Sequence, residues 1–182
     1  FICLGFIFAF NTIIFAIGNL STKFISFLMV PLYTYVLTQS EYGTVDLIFT
    51  LAMVITPIIM MNIAESVMRF SLDKDANHNN ILRIAFVITI LGSVISLIFL
   101  PIINSINILS EYTLYIYLLI LSSAVYPIPL AYLKGKNRLK LYTTSNIMCT
   151  FLMSILNILF LVVFKFGIKG YLLANILSYS SV

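Results

Sequence analysis

Long stretches of Ile, Leu, Phe, Val and Met, each about as long as a membrane is thick, recur along this chain with only short polar gaps between them. A helix needs about 20 mainly apolar residues to cross a hydrocarbon core of about 30 Å. The runs fall near residues 11–37, 46–70, 82–103, 112–133, 142–164 and 170–182, which predicts about six spans. Hydrophobic residues make up 62% of the 182 and charged residues 9%. A soluble domain has roughly 45–50% and 25%, so these side chains need lipid as their solvent. Alternation with period two is missing and the runs are too long for barrel strands, so the fold class is all-α, a polytopic transmembrane helical bundle.

The gaps are too short to hold a soluble domain. Cys3 and Cys149 lie inside apolar runs and supply neither a disulfide framework nor a metal site. Residues 1–10 have no basic stretch before them and no small-residue cleavage site, so they do not read as a signal peptide. The chain begins on Phe1 and ends within an apolar run, the pattern expected of a piece of a longer protein.

The formal net charge is +4. In a soluble protein such an excess would suggest nucleic acid, but here the cations sit in the gaps and act as topology signals, so no nucleic-acid partner is expected. Lys134, Lys136, Arg138 and Lys140 fill the fourth gap, and Arg69, Lys74 and Arg83 flank or occupy the second. The first and third gaps carry only acids, Glu41, Asp46 and Glu111, while the fifth has Lys165 and Lys169. The positive-inside rule therefore predicts that the second and fourth gaps and the N-terminus are cytoplasmic.

A charge at membrane depth costs about 2.5–3.5 kcal/mol on insertion scales, so it needs a partner, a watery cavity or a route to the interface. Lys23 lies in the middle of the first run. At 100° per residue, Asn11, Thr12, Gly18, Asn19, Thr22, Lys23, Ser26 and Tyr33 share one arc of about 140°. In the second run Asn62, Glu65, Ser66 and Arg69 form a stripe. Glu65 and Arg69 fit either an i,i+4 ion pair or ion coupling with Glu65 facing a cavity. Asn146, Thr150, Ser154 and Asn157 follow helical spacing in the fifth run and Asn175 lies in the sixth, open to interhelical hydrogen bonding or to a polar cavity. Pro31, Pro57, Pro127 and Pro129 predict kinks.

Catalytic equipment is sparse. His78 has no second ligand near it, Asp73-Lys74-Asp75 is only faintly like a metal and nucleotide-sugar motif, and no Gly-rich phosphate loop is present. No catalytic set, cofactor or metal site is expected, and the chain does not read as an enzyme.

Gly18-x4-Lys23, then Phe27, Pro31-Leu32-Tyr33-Thr34, Leu37-Thr38-Gln39-Ser40-Glu41-Tyr42-Gly43 and Asp46 resemble the opening helix and first outer loop of bacterial polysaccharide flippases. These belong to the multidrug/oligosaccharidyl-lipid/polysaccharide exporter superfamily. The resemblance continues in Arg69-Phe70, in Lys134-Gly135-Lys136-Asn137-Arg138 and in Phe166-Gly167-Ile168-Lys169-Gly170, and runs from Asn11 onward. Members usually begin with a short basic segment, where residues 1–10 here are apolar.

The resemblance implies a two-bundle transporter of which this chain is the N-terminal half. It would sit as a multi-pass protein in the bacterial cytoplasmic membrane, partnered by the bilayer and by a C-terminal half. The implied substrate is an undecaprenyl-diphosphate-linked oligosaccharide, moved by alternating access for surface polysaccharide biosynthesis. Lys23 would meet the diphosphate. Asn19, Ser26, Asn146 and Asn157 would hold the sugar, and Tyr33 would stack on a sugar ring. Two other readings stay open: a cation-coupled drug exporter of the same fold, and a non-transporting assembly subunit.

Overall fold

The computed structural model describes the backbone of residues 2–73 and 77–181, and their side chains apart from those of 2–12, 14 and 78. Lys74, Asp75 and the side chains of Cys3, Asn11, Thr12 and His78 therefore lie outside the described residues. Helices account for nearly all of the rest, with no strand among the described residues. Five stretches are long and apolar enough to cross a membrane: Phe15–Val36, Gln39–Met60, Asn79–Asn104, Ser110–Gly135 and Leu139–Val163. The protein is an all-α bundle.

The first span is α1 (Ile2–Val36). Where the acids of residues 38–45 predict a loop, the chain instead turns at once into α2 (Gln39–Met60). The Glu41 backbone N–H donates to the Thr38 hydroxyl at 3.3 Å, and the Glu41 carboxylate accepts from the Thr38 N–H at 2.8 Å. This reciprocal cap satisfies two otherwise orphaned donors and sets a negative charge at the positive end of the helix dipole. Glu41-Tyr42-Gly43 is thus the first turn of a helix.

The second run also departs from the single helix expected over 46–70. It breaks after Met60, where Met61 and Asn62 both adopt the left-handed region with φ of 45° and 55°, and resumes as α3 (Ile63–Ser71). Two successive non-glycine residues there are uncommon, because Cβ crowds the backbone. Pro57 lies one turn earlier and cannot donate to the carbonyl four residues back.

The third span runs through α4 (His78–Ser96), a tight turn at Leu97–Phe99 and α5 (Leu100–Asn104). The fourth is α6 (Thr113–Val125) and α7 (Pro127–Gly135), which meet at Tyr126 with helical dihedral angles retained and one helical hydrogen bond lost at Pro127. α8 (Leu139–Ile158) ends in a π-helical turn, Leu159–Val163, and α9 (Gly167–Ser180) follows. With 14 residues, α9 is about 21 Å long.

Packing follows seams of small or interdigitating side chains. α1 lies along α8, α8 against α9, and α6 between α2 and α9, while α3 packs on α7 and α4. Along α1 the covered residues include Phe15, Gly18, Thr22, Ile25, Met29, Leu32 and Val36, at alternating steps of three and four. A Cβ on Gly18 would collide with the Thr143 methyl. On α4 the buried seam is Ala85, Thr89, Gly92 and Ser96. A Cβ on Gly92 would sit 2.9 Å from the Ile59 side chain and 3.0 Å from its carbonyl. Small residues let backbones approach closely where lipid provides no hydrophobic drive between helices.

The two ends of the bundle differ. Around Thr38 and Leu109 one large apolar cluster joins Leu37, Ile48, Ile116, Leu119, Leu161 and Leu172 with further neighbours. At this end the Lys169 ammonium donates to Glu111 Oε1 at 2.6 Å, which raises its pKa above the ordinary lysine value. Among the described residues, the opposite end, which carries Arg69, Arg83 and the cations of 134–140, has a small buried cluster of Val67, Ala85 and Ile128 with half-buried neighbours such as Ile81 and Leu82.

Candidate functional site

The residues expected to meet a substrate separate into three places. Asn19, Lys23 and Ser26 lie on α1 at steps of four and three, all exposed, and flank the seam through which α1 packs on α8. Ser26 spends its hydroxyl on the Thr22 carbonyl at 2.9 Å. On the other side of this stripe α1 exposes Ile17, Leu20, Phe24 and Phe27, a surface fit for lipid. Lys23 is thirteen residues, or about 20 Å, from the Val36 end of the helix. Among the described residues no carboxylate pairs with it, the ion pair found being Lys169–Glu111.

Glu65 and Asn146 come together, 81 positions apart in sequence, in a cleft of about 300 Å³ between α3, α7 and α8. Its polar lining also includes Asn62, Tyr126, Lys134 and Tyr142. The Tyr126 hydroxyl donates to Asn146 Oδ1 at 2.7 Å, and its ring lies 5.1 Å from that of Tyr179. Lys134 sets its ammonium 5.4 Å from the Phe15 ring centre and 5.5 Å from that of Tyr142. Those two rings stack on each other at 5.7 Å. Cation–π contacts of this kind are worth about 0.5–2 kcal/mol, more when water is excluded. They tie α7 to both α1 and α8.

Glu65 and Arg69, expected either to pair or to couple ions, are both exposed and no ion pair joins them. Glu65 borders the cleft; Arg69 is one turn further toward the basic end. The cleft thus holds one acid and one base without a salt bridge between them among the described residues.

Tyr33, Asn157 and Asn175 serve the interior. Tyr33 meets Tyr171 edge to face at 4.8 Å, and Phe49 meets the same ring at 5.5 Å, so the Tyr33 ring belongs to the large apolar cluster. Asn157 is fully buried and donates to the Met153 carbonyl of its own helix at 2.9 Å, leaving Oδ1 without a partner. Asn175 likewise donates to Tyr171 at 2.8 Å. Of the amides open to interhelical bonding, Asn146 takes part in such a bond, to Tyr126, whereas Asn157 and Asn175 donate within their own helices.

Three cleft residues carry no role in a linear reading. Asn62 belongs to a polar stripe, Lys134 to a basic gap, and Tyr126 is one aromatic among many in an apolar run. Tyr126 has one legible signal, its place directly before Pro127, where a helix must interrupt its hydrogen bonding.

No protein-family model, curated protein or solved structure matches the chain.

Proposed function

We propose that this chain is half of a bacterial polysaccharide flippase, which carries an undecaprenyl-diphosphate-linked oligosaccharide across the cytoplasmic membrane by alternating access. The observation that carries the reading is Lys23: an ammonium at membrane depth, exposed on a polar stripe and, among the described residues, without a carboxylate partner. Left against lipid it would be costly, so it calls for an aqueous cavity and an anion, and a diphosphate supplies the anion. Asn19 and Ser26 flank it with groups suited to sugar hydroxyls. A second half-transporter covering this stripe would enclose the cavity.

The cleft beside Glu65 adds Asn146, Tyr126 and Lys134 as further sugar contacts, and Glu65, which has no ion-pair partner among the described residues, is the candidate for ion coupling. Orientation with the Lys134–Lys140 end in the cytoplasm follows from the distribution of cations.

The test is a charge series at Lys23 in the full-length protein, read as surface polysaccharide at matched expression. Lys23→Arg should keep most of the transport, Lys23→Gln should lose most of it, and Lys23→Glu should abolish it. Normal polysaccharide from Lys23→Gln would overturn the reading, since a lysine that merely reaches for the interface is dispensable.

A further inference from the structure

The second and fourth spans are both interrupted, and both interruptions border the same cleft. Asn62 lies in the left-handed joint between α2 and α3; between α6 and α7 Tyr126 keeps helical dihedral angles, and the joint is the single helical hydrogen bond that Pro127 cannot make. Beyond the joints the inner pieces pack on each other. A Cβ on Gly135, at the end of α7, would sit 2.6 Å from both the Met68 carbonyl and the Ser71 Cβ of α3. Contact that close lets neither helix shift alone. On the other side of the joints α2 and α6 form their own pair, with Thr56 and Ser123 hydroxyls 3.2 Å apart.

We propose that α3 and α7 swing as one body about these two joints, opening and closing the cleft toward the basic end of the bundle. The closed position is held by contacts to three neighbouring helices: the Tyr126–Asn146 hydrogen bond to α8, the Lys134 ammonium seated on Phe15 of α1 and Tyr142 of α8, and the packing of Val67 and Ile128 on Ala85 of α4. Each joint suits the motion. Met61 is 83% exposed, so a change in its backbone disturbs no packed side chain. Pro127 lacks the N–H that would tie it to the preceding turn. The small buried cluster at this end leaves little apolar packing to resist the swing. This motion is internal to one bundle and does not depend on what the protein transports.

Spin-label distance measurements test it in lipid nanodiscs, with Cys3→Ser and Cys149→Ser removing the native thiols. One label pair, at Phe70 and Leu141, spans the cleft from α3 to α8. A second pair, at Phe70 and Leu133, lies within the moving body. Tyr126→Phe removes the hydroxyl that bonds Asn146 and keeps the ring. It should lengthen or broaden the Phe70–Leu141 distribution and leave Phe70–Leu133 unchanged. Met61→Val places a β-branched residue where φ is positive, biases the joint out of its left-handed form, and should shift the same pair without touching Asn146. If neither variant moves Phe70–Leu141, the joints are rigid and the proposal fails. If both pairs change together, α3 and α7 are not one body and it fails equally.

Discussion

The Thr38 end of the bundle and its basic end are made from the same helices, yet they are built in different ways. At the Thr38 end, large side chains from α2, α6, α9 and the end of α8 fill one continuous interior, and a reciprocal cap and a lysine–glutamate bridge tie down the chain reversals. At the basic end three buried residues, two of them Val and Ala, hold the interior cluster, and polar side chains border an open cleft. Stability is not spread evenly through such a molecule, and elements that must move are drawn from its less packed part. One end acts as a frame for the other.

The largest effect that would break this contrast comes from truncating a core residue at each end. Leu172→Ala removes a fully buried side chain from the large cluster and should cost about 2–5 kcal/mol in reversible unfolding from mixed micelles. Val67→Ala, in the small cluster, should cost clearly less. Equal losses would show that the two ends are equally packed.

Next in size is Gly135→Val. Its side chain would press on the Met68 carbonyl, a backbone atom that cannot rotate away, and overpacking of this kind costs about 1–3 kcal/mol. The same unfolding measurement, together with increased reactivity of a cysteine at Ala131 in the cleft, would report separation of α3 from α7. Unchanged stability would mean that the two helices adjust independently.

Removing the cap at the start of α2 is a smaller change. Thr38→Ala should lower stability by about 1 kcal/mol, and hydrogen exchange should quicken at Glu41 while the amides of α3 keep their rates.

The smallest effect concerns Lys169. Glu111 raises the pKa of this lysine, so the bridge contributes fully below the ordinary lysine value and fades only as pH rises through the raised one. On its account the unfolding midpoint should stay constant from neutral pH to about pH 9. A decline within that interval that Glu111→Gln removes would contradict it.

Composition and run length were enough to read the solvent and the class of the fold, because a bilayer admits few ways to satisfy a backbone. The start of α2 was not legible in the same way: the charge of Glu41 and Asp46 suggests a loop, and the Thr38–Glu41 cap that makes a helix start there came with the structure. Nor was the break at Met61 and Asn62, since no glycine marks it and the apolar run continues through it. It goes with the docking of α3 on α7 and α4, which no local pattern records.

What the sequence by itself determined is a set of membrane-crossing helices, their number within one, a polar stripe on α1 around Lys23, and an uneven distribution of cations. What only the tertiary structure decided is which faces are buried and which distant residues meet. In water a helix announces its buried face by contrast with a polar one; in lipid both the packed face and the lipid-facing one are apolar. Ala85, Thr89, Gly92 and Ser96 therefore became a seam, and Phe86, Ile90 and Val94 a lipid surface, through close approach to α2 at Gly92 and to α3 and α7 at Ala85. Glu65, Tyr126, Lys134 and Asn146 met in one cleft for a related reason: the break at Asn62 and the Pro127 site of another span border the same space, and no pattern within either span records the position of the other.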